Sequence, residues 1–120
     1  QTDEPIDVRV VASTSIDLDA LVGRGVLRAD LLSRVRGLTF VLPPLRERLE
    51  DLGLLVAELL VRHAKERARD VRLAPEAVRA LFLHPWPGNV RELDHCLSTA
   101  LVLAQGGTIE LEHVEKALAR

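Results

Sequence analysis

Within ten residues, His84-Pro85-Trp86-Pro87-Gly88-Asn89-Val90-Arg91-Glu92-Leu93 brings together the chain's only tryptophan, a stiff turn, a helix-opening residue and a cation. Pro85 and Pro87 fix φ on either side of Trp86, and Gly88 permits a sharp reversal. Asn89 has the side chain to cap the free N–H groups that open a helix. Glu92, three residues on, suits a return contact and the positive end of the helix dipole. Arg91 is thereby held in a first helical turn, a place suited to meeting an anion. Spacing alone favours the plainer reading, a helix-turn-helix corner with an exposed arginine.

Other groupings carry less chemistry. Glu92-x-x-His95 has the spacing of half a di-iron pair, but a bundle site needs a second copy and further carboxylates, so no metal site is expected. His63, His84 and His113 have no ligand spacing with one another or with Cys96, and no Ser/His/Asp grouping suggests a hydrolase. A Gly-x-x-x-x-Gly-Lys-Ser/Thr loop does not occur, so the sequence lacks the usual backbone cradle for nucleotide phosphates.

The elements that must position these residues follow from periodicity. Residues 8–13 form a β-branched and aliphatic run, and Gly37-Leu-Thr-Phe-Val-Leu42 is a second that stops at Pro43-Pro44; both read as buried strands. Between them Asp17 can cap a short helix ending at Gly23 and Gly25, and another helix should run from about Leu27 to Val35. Leu52, Leu55, Val56, Leu59 and Leu60 mark one face of a helix of about 20 residues ending near Asp70. Pro75 opens the next helix, with Val78, Leu81 and Phe82 pointing one way before Pro85 stops it. Val90, Leu93, Leu97, Ala100, Leu101 and Ala104 continue the pattern to Gly106-Gly107, and a last helix spans about Glu112 to Leu118 with Val114 and Leu118 inward. The expected fold is mainly α: two short strands and two short helices over residues 1–46, then a four-helix bundle over residues 47–120.

Composition narrows the functions available. At 120 residues the chain is the size of one small domain or part of one, and 48% hydrophobic residues can build a core. Only 2% are aromatic, which argues against base-stacking platforms for single-stranded nucleic acid. With 16 basic and 18 acidic residues and a net charge of −2, there is no broad electrostatic footprint for direct binding of DNA or a membrane. The single Cys96 lies in an apolar helical pattern and reads as a buried thiol in a reducing compartment. No signal peptide or membrane-length apolar run appears, so a soluble, cytoplasmic chain is expected.

Trp86-Pro-Gly-Asn-Val-Arg-Glu-Leu93 resembles the lid motif of the AAA+ ATPase domain of sigma-54-dependent transcriptional activators, the bacterial enhancer-binding proteins. Asp7-Val-Arg-Val-Val-Ala-Ser-Thr-Ser-Ile-Asp-Leu18 resembles that family's strand and first sensor. Leu27-Arg-Ala-Asp-Leu-Leu-Ser-Arg-Val35 resembles its arginine-finger helix, and Leu42-Pro-Pro-Leu-Arg-Glu-Arg48 its connector. These motifs, in order and at family-like spacing, cover nearly the whole chain.

The resemblance implies the C-terminal half of such a domain: the end of the α/β core over 1–46 and the helical lid over 47–120. In AAA+ domains the strand bearing the phosphate loop lies between the two strands expected here. That central strand is missing, so the chain reads as an excerpt of a longer protein with unpaired strand edges. Arg28 and Arg34 match both arginines of the finger helix, which implies that they act on a neighbouring subunit's γ-phosphate. Asp30 between them suits a surface or interface salt bridge. Arg91 aligns with the lid arginine called sensor II, with Trp86 and Asn89 as scaffold, and Leu52 is positioned for an adenine contact or for core packing. Thr14 and Ser15 fall where the family usually has Thr-Asn. Serine is shorter and lacks the amide, so the first sensor is degenerate and the resemblance does not by itself carry hydrolytic competence over.

The function implied for the intact protein is to couple hydrolysis of ATP, bound with Mg2+, in a homo-oligomeric hexameric or heptameric ring, to remodelling of sigma-54 RNA polymerase. This chain alone would be inactive, with no cofactor tightly bound, because it lacks the phosphate loop, the Mg2+-binding acidic motif and the loop that engages the sigma factor. A rival of another class is a nonenzymatic helical interaction module that keeps only the lid as a docking surface.

Overall fold

The computed structural model describes residues 3–119, so the outermost ends of the two expected domains, residues 1–2 and 120, lie outside the described residues. The chain divides into two compact units, Gln1–Val41 and Leu42–Arg120.

In the second unit, α3 (Leu52–Ala64) buries Leu52, Val56, Leu59 and Leu60 along one stripe. It ends sooner than its apolar pattern suggests. Lys65 turns to φ +53 and returns its N–H to Val61, and the chain tightens into a 3-10 segment, Lys65–Asp70. Helix α4 (Pro75–Leu83) opens on Pro75, whose missing N–H costs nothing there. It buries Ala77 and Leu81, one turn apart, and leaves Phe82 41% exposed instead of inward.

Helix α5 (Asn89–Leu103) carries the longest buried stripe: Leu93, Cys96, Leu97, Ala100 and Leu101. Its end is a Schellman arrangement, with Gln105 at φ +53, Gly106 N–H bonding Leu101 O at 3.1 Å and Gln105 N–H bonding Val102 O at 3.0 Å. Glycine suits position 106 because φ there is +77, and the Arg67 guanidinium that donates to Gln105 O lies close over it. Helix α6 (Leu111–Leu118) starts in a capping box in which His113 Nδ1 accepts the Glu110 N–H at 3.0 Å, and it buries Val114 and Ala117, with Leu118 half-buried.

A two-residue parallel pair, β1 (Arg72–Leu73) with β2 (Thr108–Ile109), brings the start of α4 beside the start of α6. Helix α5 packs on α3 and α6, and α4 packs on α6. Trp86, Leu52, Leu93, Leu97, Ile109 and Val114 are fully buried in one core, which the connector joins through Leu45 at 1% exposure.

In the first unit, α1 (Leu18–Gly23) is capped by Asp17, whose carboxylate accepts from the Asp19 and Ala20 N–H groups at 2.9 and 3.3 Å. Helix α2 (Ala29–Val35) follows, and Arg36 at its end pairs with Asp19 at 3.0 Å. The two runs expected as buried strands, 8–13 and 37–42, form no ladder. They are extended, with Val8, Val10, Val11, Leu38, Phe40, Val41 and Leu42 all exposed. An extended segment becomes a strand only when a neighbour takes its N–H and C=O groups, and neither run has such a partner among the described residues. The mainly helical class, with two helices followed by four, therefore holds, while its two short strands are the lid pair and not these runs.

Candidate functional site

The turn between α4 and α5 is built from the residues singled out in the sequence, but Asn89 is used differently. Helix α4 stops at His84, which the following proline holds extended at φ −72, ψ 137. Trp86 takes φ +48, is fully buried, and donates its indole N–H to Leu81 O at 2.9 Å. The His84 ring meets Trp86 edge-on, with centroids 4.6 Å apart and planes at 73°.

The expected cap of α5 by Asn89 does not form. Gly88 occupies the N-cap position, and no side chain caps the helix there. Asn89 is the first residue of the helix, at φ +54, a left-handed conformation that asparagine tolerates better than most side chains. Its Oδ1 instead accepts the N–H of Leu45, 44 residues earlier, at 2.9 Å. Leu45 opens the connector's 3-10 turn Leu45–Glu47, which has no cap from its own N-cap residue. Asn89 thus caps a helix other than its own.

The return contact from Glu92 is present, one residue displaced from expectation. Glu92 Oε2 accepts the Gly88 N–H at 2.7 Å, while Oε1 lies 2.8 Å from His84 Nε2. A Cβ on Gly88 would stand 2.8 Å from Glu92 Cβ, so the close approach requires glycine. Partial burial opposes ionisation of Glu92, yet the Gly88 N–H and the His84 ring together outweigh it and hold the carboxyl below its ordinary value. Arg91 projects from this braced turn into solvent, and among the described residues no carboxylate pairs with it.

In the first unit, Arg28 precedes α2 and Arg34 lies in its last turn. Both line one open depression of about 310 Å³ with Asp30 and Leu31. Arg28 grips Asp30 through Nε at 3.1 Å and NH2 at 2.8 Å, with the two side chains 82% and 59% exposed. An exposed pair of this kind contributes little stability and is readily exchanged for another anion. Thr14 and Ser15 do not line the depression. Thr14 Oγ1 accepts the Ile16 N–H at 3.1 Å in a local turn, and Ser15 is exposed. Leu52 is fully buried in the second unit's core, where packing accounts for it.

His63 Nε2 meets Asp94 Oδ1 at 2.7 Å, joining α3 to α5, and burial followed by the charge of Glu92 pushes the Cys96 thiol up to about 11. Neither the Asn89 contact to Leu45 nor the His84 contact to Glu92 has a short-range signature in the sequence. The sequence places His84 at the head of the turn but gives it no partner.

Residues 46–120 match the family model of the AAA+ ATPase lid domain, and the chain belongs to that family. Its similarity to curated proteins runs on through the first unit. It is 38% identical over 112 residues to the Nif-specific regulatory protein of Azospirillum lipoferum, covering 93% of this chain and 18% of that protein. It is 41% identical over 109 residues to the alginate biosynthesis transcriptional regulatory protein AlgB of Pseudomonas aeruginosa, covering 90% of this chain and 24% of that protein. To the response regulator protein FleR of the same organism it is 44% identical over 106 residues, covering 88% of this chain and 22% of that protein. The chain thus spans about a fifth of the length of these relatives. Among the described residues no helix is long and apolar enough to cross a membrane.

Proposed function

We propose that this chain is the sensor, arginine-finger and lid portion of a sigma-54-dependent transcriptional activator, whose AAA+ ring uses ATP hydrolysis to remodel sigma-54 RNA polymerase. The observation that carries the proposal is the extent of the similarity. Regulatory proteins, AlgB a transcriptional one by name, align with about nine-tenths of the chain, through the arginine-bearing unit as well as the lid.

In this reading Arg28 and Arg34 reach a neighbouring subunit's nucleotide, and their shared depression supports a joint role. A guanidinium there stabilises negative charge as the phosphoryl group transfers. Arg91 meets the nucleotide of its own subunit from the lid, and Thr14 and Ser15 form a degenerate first sensor. The arginines suit a polyphosphate by charge. Among the described residues, however, no group of three or more His, Cys, Asp or Glu side chains is placed to hold a metal ion, and the sequence has no phosphate loop. In this reading the phosphate loop and the Mg2+-binding carboxylates belong to the rest of a full-length protein, and this chain adds Arg28, Arg34 and Arg91 to the nucleotide they hold.

The test is promoter opening by that full-length protein with sigma-54 RNA polymerase. Opening that requires hydrolysable ATP is the expected result. Opening independent of ATP, or binding to the polymerase with no ATPase activity, favours a nonenzymatic docking module instead.

A further inference from the structure

We propose that Asn89 is a positioning residue that couples the connector to Arg91, so that a displacement of the connector is felt at the arginine. The inference rests on the reading of Arg91 as the nucleotide-sensing arginine of the lid, and deepens it by naming what sets that arginine's position.

Three observations carry it. The chain passes from the first unit into the second at Leu42, and the next two residues are Pro43 and Pro44, the second at φ −64, ψ 157. Two prolines in succession fix φ at both positions and favour an extended segment, so less of a movement at Leu42 is absorbed before Leu45. Leu45 is 1% exposed, and its N–H donates to Asn89 Oδ1 at 2.9 Å. Asn89 in turn stands at φ +54 two residues before Arg91, in the opening turn of α5. A side chain in that strained conformation has its direction fixed by the backbone, and the backbone is held by the bond the side chain makes. Release of Leu45 therefore frees the turn to relax.

The glycine and aspartate variants separate this role from simple stability. Asn89→Gly accepts φ +54 without strain but removes the acceptor, whereas Asn89→Asp keeps both. In the 120-residue chain, nuclear magnetic resonance should show the Leu45 amide losing about tenfold of its hydrogen-exchange protection in Asn89→Gly, the fold-change of one ordinary hydrogen bond. The Arg91 backbone and Nε resonances should move in the same variant and return in Asn89→Asp, while those of Cys96 to Ala100 stay in place. Unchanged Leu45 protection, or Arg91 resonances that stay put after Leu45 is released, overturns the proposal. In the full-length protein, Asn89→Gly should shift the KM for ATP in the same direction as Arg91→Ala. If Arg91→Ala alters turnover and Asn89→Gly does not, the coupling is refuted. If Arg91→Ala is itself silent, the nucleotide-sensing reading fails, and the resonance measurements still decide the mechanical link.

Discussion

Glu92 spans the turn between α4 and α5 to His84, with Oε1 2.8 Å from Nε2, while its other oxygen holds the Gly88 N–H at 2.7 Å. One carboxylate thus closes the segment that presents Arg91. Glu92→Ala should cost the unit about 1–2 kcal/mol in chemical denaturation, the range for lost hydrogen bonds to a charged group when the partners can partly rehydrate. The pH dependence has a definite sign. The folded carboxyl is held below its ordinary value, so its contribution is complete above the unfolded glutamate pKa of ~4.3 and is lost as pH falls through the lower folded value. The stability gap between wild type and Glu92→Gln should therefore shrink below about pH 4. A gap that is constant through the acid range contradicts the assignment.

The connector determines where the second unit begins. Leu45 is buried in its core and bonded to Asn89, so a polypeptide starting at Leu42 retains both contacts and one starting at Glu47 loses them. Both should be helical. The longer one should unfold cooperatively and be more stable by about 2–4 kcal/mol, the cost of removing a buried leucine and one hydrogen bond. Equal denaturation midpoints in urea would show that Leu45 is not part of this core.

Periodicity revealed the lid because its helices bury their own stripes. Leu52 to Leu60 in α3 and Leu93 to Leu101 in α5 form contiguous apolar faces that need no long-range information. Helix α3 stops at Lys65 because a left-handed residue intervenes, and lysine gives no signal for that conformation. The extended runs at 8–13 and 37–42 have strand-like sequences, but strand formation depends on a partner that local sequence cannot supply. The same distinction applies at the site. Pro85, Gly88 and Glu92 act locally and were readable, whereas Asn89 looked like the cap of its own helix and is committed to Leu45, across 44 residues.

Cys96 is 1% exposed, and its thiol is pushed up to about 11 by burial and then by the charge of Glu92. A thiol of this kind is unreactive while the protein is folded. Iodoacetamide at about pH 8, below the ordinary thiol pKa of ~8.5, should modify the chain only at the rate at which the core opens, and rapidly in denaturant. Because the folded pKa is raised, the associated stability is intact below ~8.5 and declines as pH climbs toward the folded value. Stoichiometric labelling within minutes under native conditions would place Cys96 at the surface.

Without a phosphate loop, the 120-residue chain should bind ATP with Mg2+ no more tightly than about millimolar in calorimetric titration, since the phosphates supply most of a nucleotide's anchoring. Micromolar affinity, or hydrolysis above the buffer rate, would mean that this chain contains a complete site and is not one portion of an ATPase.

The arginines make the most discriminating case, and they must be tested in the full-length protein. Arg28 and Arg34 share one depression on the first unit, and in the proposed ring they serve a neighbour's nucleotide, whereas Arg91 serves its own subunit's. Each finger variant alone, Arg28→Ala or Arg34→Ala, should lose up to ~10³-fold in turnover if its guanidinium stabilises transition-state charge. Mixing either with subunits disabled in the phosphate loop should restore part of the activity, because an intact finger then meets an intact pocket at some interfaces. Arg91→Ala should not be rescued in this way, since its defect and the pocket it damages belong to the same subunit. Rescue of Arg91→Ala would move that arginine to the trans-acting set, and full activity in both finger variants would reduce Arg28 and Arg34 to ordinary surface residues.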